Sequence, residues 1–158
     1  MIMATIKISK EQKQLIEKLG VLHEKRGYPP AASRILALLL VSNETELSFE
    51  EIQKVLNLSK SATSNALNML LNTEEVEYIT KPGDRKRYFR NNLIKWESKM
   101  KQVMEGMSHF AQILQDVLKQ RPGDTVEFNA KLKKVINFIE FLGEEMKETY
   151  SKWEAKNR

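Results

Sequence analysis

Between Ser48 and Arg90 the chain orders its signals in a way that leaves few folds open. Ser48 and Glu51, in S-F-E-E, form a capping box that opens a helix with Ile52, Val55 and Leu56 turned inward. Asn57 tolerates the left-handed backbone of a tight turn, and Leu58 plugs that turn. Ser59 then caps a second helix, K-S-A-T-S-N-A-L-N-M-L-L. Two short capped helices separated by about three residues predict a helix-turn-helix. Directly after them, residues 76–80 are rich in β-formers, Pro82-Gly83-Asp84 is turn chemistry, and Arg87–Arg90 is again strand-like. A helix-turn-helix followed by a β-hairpin with a basic tip predicts a winged helix.

The flanks extend this frame. Ser9 with Gln12 opens a first helix carrying Leu15, Ile16, Leu19 and Leu22 at helical spacing. Gly27 closes it, Pro29-Pro30 forbids continuation, and Pro30 suits the first turn of the next helix. That helix, 31–42, is apolar nearly all round and must be wrapped by others. Asn43–Glu46 reads as a loop and Leu47-Ser48 as a short strand.

Downstream, Leu93, Trp96, Met100, Val103, Met107, Phe110, Leu114 and Val117 recur at alternating steps of three and four. Arg121-Pro122-Gly123 breaks the pattern and Asp124 with Glu127 is expected to cap a new helix. Phe128, Leu132, Val135, Ile139, Leu142 and Met146 then repeat the stripe, with Trp153 beyond. Each helix would run roughly 40 Å at ~1.5 Å per residue. Met104, Ala111, Leu118, Ile136, Phe138 and Phe141 lie outside the stripe. A partner chain would cover them, and packing on the chain's own first helix is the simpler alternative. The expected fold is mainly α with a small β-hairpin. Residues 1–91 form a winged helix-turn-helix DNA-binding domain whose first helix contributes to a dimer, and 92–158 form a long antiparallel helical hairpin for dimerisation.

Composition removes other classes. The 158 residues contain no cysteine and two histidines, His23 and His109, far apart and without metal-ligand spacing. Each histidine reads as a surface or core residue. No phosphate loop, nucleophile elbow or paired histidine occurs, so no enzyme, catalytic residue, metal or cofactor is expected. The longest apolar run, around Ile35–Val41, is far short of the roughly 20 residues of a membrane span. The opening M-I-M-A-T-I-K-I-S-K-E-Q lacks the apolar stretch of a secretory leader. A cytoplasmic, nucleoid-associated protein is the expectation.

Net charge is +5, and residues 80–90 hold Lys81, Arg85, Lys86, Arg87 and Arg90 against the single acid Asp84. The helix over about 59–71 turns Thr63, Leu67 and Leu70 to the domain and Ser61, Ser64, Asn65 and Asn68 outward. An α-helix fits the major groove, where hydroxyls reach bases and asparagine amides pair with the adenine edge. Ser61, Ser64, Asn65 and Asn68 are therefore the candidate base readers, and Ser59, Lys60 and Lys81 the candidate backbone contacts. Arg85, Lys86, Arg87 and Arg90, on a wing spanning 76–90, would grip the flanking minor groove or backbone. Asp84 is expected to orient an arginine or the turn. An ordinary solvated face is the plainer reading of each element taken singly. A winged-helix protein-interaction module without DNA binding is the remaining rival.

The stretches G-Y-P-P-A-A-S-R-I-L-A-L-L-L (27–40), L-S-F-E-E-I and L-S-K-S-A-T-S-N-A-L (within 47–67), and P-G-D-R-K-R-Y-F (82–89) resemble the MarR-type winged-helix regulators, in particular the GbsR-like branch. The resemblance covers roughly residues 10–90. It implies a homodimeric transcriptional regulator, repression being the expected sense, with two winged helices on a pseudo-palindromic operator and no membrane partner. Gln53 stands where such helix pairs usually have a small residue, Asn57 replaces a common turn glycine, and Glu74, Glu75 and Glu77 add negative charge beside the DNA face. A small-molecule effector of undefined identity is compatible with a wall of Met100, Met104, Met107 and Phe110, and core filling is the simpler use of those residues. No aromatic cluster can be assigned from the sequence to a bound amine.

Overall fold

The computed structural model describes residues 6–157, and the first five residues, on which the reading of the leader partly rests, lie outside them. The chain divides into two compact units, Met1–Lys95 and Trp96–Arg158. The first unit is built from α1 (Lys10–Lys25), α2 (Pro30–Val41), β1 (Leu47–Ser48), α3 (Phe49–Leu56), α4 (Lys60–Asn72), β2 (Val76–Thr80) and β3 (Arg87–Asn91). It is a mostly helical fold with a small antiparallel sheet in the order β1-β3-β2.

Local chemistry sets the helix ends. Ser9 Oγ accepts from Gln12 N at 3.1 Å and Gln12 Oε1 accepts from Ser9 N at 2.9 Å, the reciprocal capping box. The same Gln12 donates through Nε2 to Val41 O and Asn43 Oδ1, both at 3.0 Å, so one side chain starts α1 and ties off α2. Ser48 and Glu51 repeat the box at the head of α3. Gly27, at φ +92°, takes the left-handed turn that ends α1 before the prolines.

α2 is the pillar of this unit. Ala32, Ile35, Leu36, Ala37, Leu38 and Leu39 are all buried and pack with Ile16, Ile52, Leu67, Leu70, Val76 and Phe89. Each large aliphatic side chain so placed contributes about 1.5–3 kcal/mol of transfer free energy. On its polar edge Arg34 pairs with Glu17 at 3.1 Å and with Glu24 across Gly20, where an added Cβ would stand 2.8 Å from Arg34 Cδ. The hairpin sets Tyr78 opposite Phe89 and Val76 opposite Asn91, and Leu47 of β1 faces Phe89 on its other side. Thus β1 pins the wing to the helix-turn-helix.

The turn between α3 and α4 depends on Asn57, whose φ of 50° and ψ of 44° are left-handed. Asparagine accepts this conformation and β-branched residues do not. Asn57→Val is expected to lower unfolding free energy by about 1–3 kcal/mol and Asn57→Gly to change it by less than about 1, read as the shift in denaturant midpoint.

The second unit consists of α5 (Trp96–Gln120) and α6 (Val126–Asn157). Two expectations are corrected here. Asp124 does not cap α6: the first helical bond runs from Asn129 N to Thr125 O at 2.9 Å, while Thr125 Oγ1 donates to Pro122 O at 2.9 Å. The packed stripe is also shifted toward one edge, with Met107, Leu114, Leu132, Ile139, Leu142 and Met146 half-buried. Met104, Ala111 and Ile136, read as outside it, are buried between the helices, while Val103, Phe110, Val117, Phe128 and Val135 are exposed. The small Ala111 and Gly143 allow close helix approach on the inner side, which the alternation of large residues does not reveal.

Candidate nucleic-acid interface

α4 presents two chemically distinct faces. Thr63, Ala66, Leu67 and Leu70 are buried against the domain, and Thr63 satisfies its hydroxyl on Ser59 O at 2.9 Å. Outward lie Ser61, Asn65 and Asn68, exposed, and Ser64, half-buried. Lys60 is exposed at the first turn, where the helix N-terminus favours anions. Ser59 spends its Oγ on the cap, accepting from Ala62 N at 3.1 Å, and lies 3.2 Å from Ser61 Oγ.

The wing tip is organised by its acid. Asp84 Oδ1 accepts from Lys86 N at 2.9 Å and Oδ2 from Tyr88 OH at 2.7 Å, with Gly83 at φ +78° completing the turn. Those two bonds, the backbone one foremost, hold the Asp84 carboxyl below its usual range. Asp84 thus orients the turn rather than an arginine.

The wing cations are not equivalent. Lys81 pairs with Glu46 at 2.7 Å, lies 4.0 Å above the Tyr88 ring, and has its ammonium pKa raised by the Glu46 bond. Arg90 pairs with Glu77 at 2.7 Å, and Arg87 stacks 4.7 Å over Tyr78. Arg85 and Lys86 make no side-chain ion pair among the described residues. The acids expected to load this face with negative charge each have a partner, which for Glu77 is a wing cation. Glu74 pairs with Lys95 at 3.2 Å, Glu75 accepts from Tyr28 OH at 2.7 Å, and Glu77 holds Arg90. Burial and the bond to Glu75 push the Tyr28 hydroxyl up to about 12.

Folding brings Ser64 and Asn68 of α4 together with Arg85, Lys86 and Arg87 along one groove of about 360 Å³. Its floor is Leu67, Leu71, Phe49 and Phe89. Ser61, Asn65, Lys60, Lys81 and Arg90 stand outside it. Sequence reasoning missed Phe49 and Glu50, which reach the groove from the first turn of α3; their only signal was position, directly after a capping serine. In the second unit, Trp96, Tyr150 and Trp153 form an aromatic cluster, with ring centroids 5.2 Å apart for Trp96–Trp153 and 5.9 Å for Tyr150–Trp153. They line an apolar cavity of about 460 Å³ with Met100 and Met104, whereas Met107 and Phe110 do not line it. Among the described residues no acidic or histidine cluster is placed to hold a metal, and no helix is long and apolar enough to cross a membrane.

Two capped helices, the second with a polar outer row, and a three-stranded sheet ending in a basic loop define a winged helix-turn-helix. Residues 26–87 match the model of the MarR family. The chain is 32% identical over 77 residues to the HTH-type transcriptional regulator MmpR5 of Mycobacterium tuberculosis, a match covering 49% of this chain and 47% of that one. It therefore spans about half the length of the curated relative it matches. A crystal structure described as a transcriptional regulator shares the fold over 92% of this chain and 99% of its own, with a TM-score of 0.66 at 20% identity.

Proposed function

We propose that the protein is a homodimeric, sequence-specific DNA-binding transcriptional regulator, a repressor of the GbsR-like branch. The observation that carries this reading is the groove that joins Ser64 and Asn68 of α4 to the wing's Arg85, Lys86 and Arg87, of which Arg85 and Lys86 make no side-chain ion pair among the described residues. α4 enters the major groove, with Ser61, Ser64, Asn65 and Asn68 toward base edges and Lys60 and the helix N-terminus toward phosphate. Residues 1–91 serve as the reading head. Residues 92–158, with α1, carry the dimer contact, because Leu15, Val21 and Leu22 on α1 and Val103, Phe110, Phe138 and Phe141 on the hairpin all face solvent in the single chain. Two-fold pairing places two reading heads about one helical turn apart on a pseudo-palindromic operator. The effector site is assigned to the hairpin cavity, where a ligand regulates only by preferring one spacing of the heads.

Selection of bound sequences from a random duplex pool tests the reading, and an enriched two-half-site motif is the expected result. Asn65→Ala should then relax preference at one base position, costing about 1–3 kcal/mol on the selected sequence and little on others. Equal weakening on every sequence would move Asn65 to the backbone set.

The rival, a protein-interaction module, draws on the pairing of Lys81 with Glu46 and Arg90 with Glu77, which removes two of the wing's charges. Salt separates the two. Duplex binding that neutralises Z phosphates falls with a log–log slope near −0.9Z, and a flat slope favours the rival.

A further inference from the structure

The groove between α4 and the wing holds one residue of the wrong sign. Glu50 lines it from the first turn of α3, opposite Arg85, Lys86 and Arg87. It is exposed and has no hydrogen bond or ion pair among the described residues. Its neighbours differ in this respect: Glu46, Glu74 and Glu77 each hold a cation, and Glu51 is consumed by the capping box. Glu50 is therefore a free carboxylate inside the cationic groove. The capping of α3 does not need it, since Ser48 and Glu51 supply both bonds.

Resting on the DNA-binding reading above, we propose that Glu50 is an attenuating residue that sets an upper limit on duplex affinity. A helix in the major groove and a wing in the adjacent minor groove are separated by one sugar–phosphate strand, and that strand must pass through the space between them. Here that space has an apolar floor (Leu67, Leu71) suited to deoxyribose and cations suited to phosphate. The Glu50 carboxylate meets the same phosphates and is repelled by them. Phosphate contacts supply essentially all of non-specific binding, so a carboxylate there weakens binding to every duplex, whatever its sequence. The attenuation lets a regulator leave unrelated DNA rather than saturate on it.

Glu50→Gln keeps size and polarity and removes the charge. One unit charge about 4 Å from another in water corresponds to roughly a fivefold change in binding constant. The variant is therefore expected to bind random and selected duplexes about fivefold more tightly at low salt. The gain should shrink as salt brings the screening length below about 10 Å. A second readout guards against a merely structural role. A carboxylate in the first turn of a helix is stabilising, so Glu50→Gln should leave melting temperature unchanged or slightly lower while affinity rises. Glu50→Lys should tighten binding further. Unchanged or weaker duplex binding by the folded Glu50→Gln protein overturns the proposal, weaker binding meaning that the carboxylate accepts from DNA. If the wild-type protein itself binds no duplex at low salt, the DNA-binding reading fails and takes this proposal with it.

Discussion

Replacing Arg85 and Lys86 together with alanine is expected to flatten the salt dependence of duplex binding by about 2 log–log units, since each phosphate contact contributes about 0.9. Between 50 and 200 mM salt the wild-type protein should consequently lose roughly tenfold more affinity than the variant, on selected and unrelated duplexes alike. The size of the effect follows from what these side chains are not doing. Among the described residues neither makes an ion pair, so both would meet a phosphate with their charge available. Lys81 and Arg90 already satisfy Glu46 and Glu77, and must give up those partners before they help a phosphate. The matched pair Lys81→Ala with Arg90→Ala should therefore change the slope by less than half as much. Lys81 and Arg85 are exposed, Lys86 and Arg90 half-buried and none of the four is in the core, so melting temperatures should move little. Fluorescence anisotropy titrations on a labelled duplex over a salt series provide the measurement. Equal slopes for the two double variants would show that the wing tip is not the electrostatic grip.

What was legible in the sequence was what local chemistry decides. The capping boxes at Ser9 and Ser48, the cap at Ser59, the left-handed Asn57 and the Pro-Gly-Asp turn each depend on atoms a few residues apart, and all are present in the fold. The winged arrangement follows from their order. Illegible were the interactions that join residues distant in the chain. Glu75 reads as negative charge beside the wing until Tyr28, 47 positions away, donates to it. Glu50 is one acid of a helix start until the wing folds opposite it. Trp96 and Trp153 read as the ends of two stripes, and become a cluster only when the helices run antiparallel. The shift of the packed stripe has a similar cause. A three–four alternation specifies that one side of a helix is apolar, but on α5 both Val103–Phe110–Val117 and Met104–Ala111–Leu118 fit it. Which set turns inward is decided by residue size at the closest approach, where Ala111 and Gly143 fit and Phe110 does not.

That outward set gives the other large expectation. Phe138 is 62% exposed on α6, with Val135 at 49% and Phe141 at 59% nearby on the same helix. Aromatic side chains each bury about 150–250 Å² when covered, so leaving several in water is a large standing cost that the proposed second copy of the chain would remove. Phe138→Glu asks little of the single chain, because the side chain already faces solvent, and helical circular dichroism should persist. In a two-fold interface the substitution occurs twice, and each buried carboxylate without a partner costs several kcal/mol. The variant should sediment as a folded monomer at micromolar concentration. Its binding to a duplex with two half-sites should fall by about 10²–10⁴, the factor lost when a second binding event is no longer intramolecular. Binding to a duplex with one half-site should be nearly unchanged, because Ser61, Asn65 and Arg85 belong to the other unit. A variant that remains dimeric would place the interface elsewhere, and one that loses both kinds of binding equally would mean that pairing shapes each reading head rather than joining two independent ones.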